Sequence, residues 1–148
     1  MKYMSIVLAV AILVAILPLP TAVADGEKGE DKSFTVRPIG WVRKSENRTY
    51  IVLEEKYEPA LLGVDKLSEI TVVWWFDRND TPERRSILQV HPRGNKNNPL
   101  RGVFATHSPV RPNLIAITRC KVLSVNDNVI EIESIDAFSD TPVLDLKS

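Results

Sequence analysis

Residues 120–135 read CKVLSVNDNVIEIESI, and this stretch decides the fold. Apolar side chains alternate with polar ones on both arms, which puts one face of each arm toward a core and the other toward solvent. Between the arms, Asn126, Asp127 and Asn128 are residue types that tolerate positive φ, so the chain can reverse in a tight turn. The stretch is a β-hairpin.

Working outward, the same β character recurs in FTVRPIGWVR (34–43), RTYIVLE (48–54), EITVVWWF (69–76), SILQV (86–90), LIAITRCKVL (114–123), NVIEIESI (128–135) and PVLDL (142–146). These segments are rich in β-branched and aromatic residues, and polar turn formers separate them. Only YEPALLGVDKL (57–67) has room for a helical turn, which Pro59 and Gly63 keep short. Short strands at this spacing predict a single all-β domain, either a closed barrel or a sandwich.

The chain has 148 residues, enough for one such domain. Nineteen basic and 19 acidic side chains cancel, so there is no global field to attract a polyanion, and any such partner must meet a local patch. Cys120 is the single cysteine, which excludes an intrachain disulfide and a cysteine-built metal site; it reads as a small buried apolar residue. His91 and His107, on separate segments, make a poor metal site, and no metal is expected.

The N-terminus departs from this composition. Lys2 precedes an apolar run from Ser5 to Leu17, then Pro18, Pro20 and the small-x-small pattern Ala22-Val23-Ala24. That order is the mark of a secretory signal peptide. The run is 13 residues, against the roughly 20 of a spanning helix. Residues 1–24 are therefore expected to be a signal peptide cleaved after Ala24, an uncleaved membrane anchor being the alternative. DGEKGEDK (25–32) has nothing apolar and is expected to be a flexible linker, with the folded domain spanning residues 33–148.

Function in such a scaffold belongs to the loops. The most unusual is GVFATHSPVRPNLIA (102–116), where Pro109 and Pro112 flank Arg111, fix φ and hold the preceding residues extended. Such a stiff loop serves either a ligand, by reducing the entropy lost on binding, or a rigid connection between strands. Arg84, Arg85, Arg93, Lys96 and Arg101 form the one basic-rich stretch, a site for phosphates or a solvated face. In Trp74-Trp75 one indole faces the core, and its neighbour faces an interface or a ligand.

GVFATHSPVRPNLIAIT resembles the signature GVFATRSPxRPNPIG of the TsaA-like (TrmO) family, whose members methylate a threonylcarbamoyl-adenosine beside the tRNA anticodon with S-adenosylmethionine. In the same order, VRPIGWVR (36–43) resembles the family's opening strand, LSEITVVWWFDRN (67–79) its "FSHIWVLFWFH" strand, and IDAFSDTPVLDLK (135–147) its "xDxxDGTPVLDIKPY" close. The resemblance covers Val36 to Lys147 and implies a closed β-barrel that binds S-adenosyl-L-methionine, usually as a homodimer, with tRNA as a partner. It places the cofactor against Asp77, Arg78, Phe104, Ala105, Thr106, His107, Ser108, Arg111, Asn113, Ile117, Ser139, Asp140 and Thr141, without designating a catalytic residue.

The departures matter too. His107 stands where the family has arginine, Asp77 where it has histidine, Asp140 for the glycine of DGTP and Ser139 for the preceding acid; nothing in RKSENRTYIVLEE (43–55) resembles the family's PRQ segment. If close together, His107 and Asp140 could form an ion pair in place of the missing arginine contact. Two classes of function follow: a methyltransferase, favoured by the retained motifs, or an exported binding protein that kept the barrel and lost catalysis, favoured by the signal peptide.

Overall fold

Six strands wind into a closed antiparallel barrel in the computed structural model, which describes residues 32–148. The expected signal peptide and nearly all of the linker lie outside the described residues. Thr35–Ser148 is one compact unit.

The barrel strands are β1 (Gly40–Ser45), β2 (Arg48–Leu53), β3 (Glu69–Trp75), β6 (Ile115–Asn126), β7 (Val129–Ile132) and β8 (Pro142–Lys147). Between β3 and β6 the chain leaves the barrel through a one-turn helix α1 (Pro82–Arg85) and a two-stranded ribbon, β4 (Gln89–Val90) with β5 (Arg101–Gly102). Around the barrel the order is β1-β2-β7-β6-β3-β8, and β8 closes onto β1 through Gly40 opposite Val143.

The hairpin read from the sequence forms: Asn126 pairs with Val129 across a two-residue turn, and Asp127 takes φ 50 there. Alternation along the strands then builds the core. Ile70, Val72 and Trp74 of β3, Ala116 and Cys120 of β6, Ile51 and Leu53 of β2, and Ile130 and Ile132 of β7 are all buried. Burial pushes the Cys120 thiol up to about 11, as expected of an apolar filler.

Two expectations need correction. FTVRPIGWVR is strand only from Gly40, because before it only Ile39 bonds a neighbour, its N–H to the Val143 carbonyl and its carbonyl to the Glu54 N–H. SILQV does not join the barrel: Ser86 ends α1, Ile87 and Leu88 are exposed, and only Gln89–Val90 pairs, with the short β5.

Candidate functional site

One end of β3 and β6 opens into a cleft of about 800 Å³. Its floor is Trp74 and Ala116 with Thr118, whose hydroxyl accepts the Trp74 indole N–H at 3.0 Å. Phe76 packs edge-on against Trp74, with centroids 4.7 Å apart. Three excursions form the walls: Asp77 to Asn79 after β3, Phe104 to Arg111 before β6, and Asp136 to Thr141 between β7 and β8.

The loop before β6 is stiffened by its own side chains as well as by its prolines. The Thr106 hydroxyl donates to the Val103 carbonyl (3.1 Å) and accepts from the Ser108 N–H (3.2 Å); the Ser108 hydroxyl accepts from the Val110 N–H (3.3 Å), and Arg111 donates to the Ser108 carbonyl (3.3 Å). Such side-chain bonds to local backbone hold a loop that neither helix nor strand can satisfy. Arg111 braces this loop and lines the cleft at once, so the sequence alternatives of ligand contact and loop brace are compatible.

Arg85 fastens the same loop to the barrel. Its guanidinium donates to the Pro112 carbonyl at 2.9 Å and to Asp80 at 2.8 Å, and lies over the Trp75 ring. Asp80 also accepts the Trp75 indole N–H, so Arg85 first and Trp75 second hold its carboxyl below the usual carboxylate value. Arg85 is thus a structural bolt rather than a phosphate contact, and Trp75 beside it is partly buried.

Of the 13 residues that the family resemblance marks, nine line the cleft: Asp77, Arg78, Phe104, Ala105, Thr106, His107, Arg111, Ile117 and Thr141. Ser108, Asn113, Ser139 and Asp140 are not among the residues that line it. Ser108 is spent inside the loop ladder, and Asn113 is exposed beside it. The Ser139 hydroxyl accepts the Lys44 N–H, which ties the turn to β1. Asp140 pairs with Arg43, and its N–H bonds the Val42 carbonyl. The ion pair with His107 does not form, because Asp140 is turned toward β1.

Trp74, Phe76, Asn79, Asp136 and Phe138 also line the cleft and were missed from the sequence. Among the described residues no group of histidine, cysteine and carboxylate side chains is arranged to hold a metal ion.

Asp140 has φ 69, and its turn closes with the Thr141 N–H on the Phe138 carbonyl at 3.4 Å. Glycine adopts this conformation freely, and aspartate is among the few side chains that tolerate it. The glycine of the family pattern therefore reflects backbone conformation here. Asp140→Gly should melt within a few degrees of the parent, whereas Asp140→Val should lose about 1–2 kcal/mol. Thermal melts of both variants check this; equal stability for valine would show that the turn relaxes.

With this geometry described, the chain can be set beside known proteins. Residues 33–148 match the family described as the tRNA-methyltransferase O N-terminal domain. A Methanocaldococcus jannaschii protein named as a probable S-adenosyl-L-methionine-binding protein is 44% identical over 114 residues, covering 77% of this chain and 90% of that one. A Pyrococcus horikoshii protein of the same description is 42% identical over 116 residues, covering 78% of this chain and 82% of its own. The tRNA (adenine(37)-N6)-methyltransferase of Rattus norvegicus is 34% identical over 90 residues, 61% of this chain but 20% of its own length. Among solved structures, TrmO from Pseudomonas aeruginosa aligns with a TM-score of 0.61 at 24% identity, over 81% of this chain and 56% of that chain, a likeness of fold. This chain thus spans little more than half the length of that solved relative.

Proposed function

The chain belongs to the family of tRNA-methyltransferase O N-terminal domains, and from that footing we propose that its cleft binds S-adenosylmethionine and that the methyl group goes to an adenine of tRNA. One observation carries the reading: a single cleft combines apolar surface, two carboxylates and two guanidinium groups. Phe76 and Ile117 offer apolar faces, Asp77 and Asp136 acceptors, and Arg78 and Arg111 cations. A purine, a ribose diol with an ammonium group, and a carboxylate need those three chemistries. The cleft's size also falls within the range of small-molecule sites, about 300–1,000 Å³.

When bound, S-adenosylmethionine supplies a methyl group on a sulfonium. The chain's own residues hold and orient. Arg111, braced on Ser108, is placed for a carboxylate, and the stiff Phe104–Pro109 wall fixes one side of the cleft without reordering. His107 lines the cleft where the family has arginine, so binding is weaker than with a bidentate fork, and His107→Arg tightens it. A homodimer, expected from the family resemblance, also belongs to this proposal.

Charge supports a nucleic-acid partner. Between Glu83 and Asp127 there is no acidic residue but there are eight cations, in a chain that is neutral overall. Arg93, Lys96 and Arg101 have no ion-pair partner among the described residues. Unpaired cations of this kind meet phosphates, and such binding weakens steeply with salt.

The test is transfer of labelled methyl from S-adenosylmethionine to bulk tRNA. Incorporation that falls as salt rises is expected; cofactor binding without incorporation would leave a binding protein. Residues 1–24 favour that second reading, since export would separate the domain from tRNA. Sequencing the natural protein's N-terminus distinguishes the two: a start at Asp25 supports export, and a retained Met1 the tRNA reading.

A further inference from the structure

Among the residues that line the cleft, Phe138 and Arg78 form a cation–π pair. The Arg78 guanidinium carbon lies 3.9 Å from the Phe138 ring centroid, closer than in the three other such contacts among the described residues. Both side chains line the cleft. Arg78 enters none of the ion pairs among the described residues, so the ring is the partner its charge has there.

Phe138 is 63% exposed, yet its backbone is anchored. Its carbonyl accepts the Thr141 N–H, and the next two residues are fastened to β1, Ser139 by the Lys44 N–H and Asp140 by its bond to Val42. Core packing does not account for a ring held in place and left open to solvent. An aromatic face backed by a guanidinium is a surface on which an unstacked base lies flat, and Asp136, on the same excursion, lines the cleft as an acceptor for an exocyclic N–H at the base's edge.

We propose that Phe138, held by Arg78, is the stacking platform for the nucleobase of the methyl acceptor, a positioning and specificity-determining residue. The proposal rests on the methyltransferase reading and adds to it the side chains that select a planar acceptor. It predicts that an acceptor ring and the donor occupy the cleft together.

An RNA hairpin carrying 2-aminopurine in its loop tests this, because that base loses fluorescence on stacking. Titrations are run without and then with excess S-adenosylhomocysteine, which fills the donor site. The expected result is a saturable quench with the parent chain and with Phe138→Tyr, and affinity about tenfold or more weaker with Phe138→Leu, while the melting temperature and S-adenosylhomocysteine affinity of the leucine variant stay unchanged. No quench with the parent chain, or an equal quench with Phe138→Leu, overturns the proposal. So does a quench that S-adenosylhomocysteine abolishes, since the platform would then serve the donor's own adenine. A Phe138→Leu chain that loses dimer in sedimentation, with its quench intact, overturns it in favour of a second copy of the chain. A quench without methyl transfer to tRNA counts against the methyltransferase reading alone.

Discussion

Gly40→Ala should destabilise the domain by about 3 kcal/mol or more, at the upper end of overpacking effects, and lower the urea midpoint accordingly. A Cβ added at Gly40 would lie 2.3 Å from the Val52 carbonyl oxygen, 2.7 Å from the Leu53 Cα and 2.9 Å from the Leu53 Cδ2. Two of these three atoms are backbone and cannot swing aside. Nor can β1 withdraw, because Gly40 sits between Leu53 of β2 and Val143 of β8 where the barrel closes. The constraint is space rather than backbone dihedral: a strand glycine here marks the close approach of another chain segment. A loss below 1 kcal/mol would mean that the seam opens more easily than its register implies.

Arg111→Ala should weaken S-adenosylmethionine binding about 10- to 100-fold, the range for losing a hydrogen bond to a charged group. The substitution removes the cation facing the cleft and the brace on the Ser108 carbonyl. Arg111→Lys separates the two: it keeps a charge but loses the planar fork, and should recover only part of the affinity. Thermal melts run alongside tell loop loosening from lost contact. Unchanged affinity in the alanine variant would reduce Arg111 to a structural arginine and shift the carboxylate contact to Arg78, the other arginine lining the cleft.

Much of the barrel was legible because strands have a period of two and turns have their own residue types. The 120–135 hairpin shows both signals. Ile87 and Leu88 misled for the opposite reason: they are apolar like a strand, but both are exposed and the one backbone bond there, from the Val103 N–H to the Leu88 carbonyl, does not extend a ladder; pairing partners far apart in sequence leave no local mark. Arg85 looked like a member of a basic patch because a charge run does not reveal that Asp80, Trp75 and the Pro112 carbonyl converge on one side chain.

The loop wall of the cleft was found through its resemblance to a known motif, and its stiffness through its prolines. The floor was not. The Trp74-Trp75 pair put one indole in the core, which Trp74 is, and nothing local says that the core opens to solvent at that end, with Phe76 beside it. Phe138 and Arg78 lie on separate excursions, and only closure of the barrel brings them together. Gly40 carried a usable signal, a lone glycine inside a strand pattern, which marks a bulge or a close backbone approach. Asp140 read as a departure from the family's glycine and a partner for His107, whereas φ 69 and the Arg43 pair make it a turn residue.

Calorimetric titration of the purified chain with S-adenosylmethionine, then by displacement with S-adenosylhomocysteine, tests the central claim most directly. The account predicts saturable binding at one site per chain, tightened by His107→Arg, left nearly unchanged by Asp140→Gly, and reduced by Ile117→Arg, which crowds the cleft without touching the core. No heat with either compound at millimolar concentration, or binding indifferent to Ile117→Arg and Arg111→Ala, would contradict it.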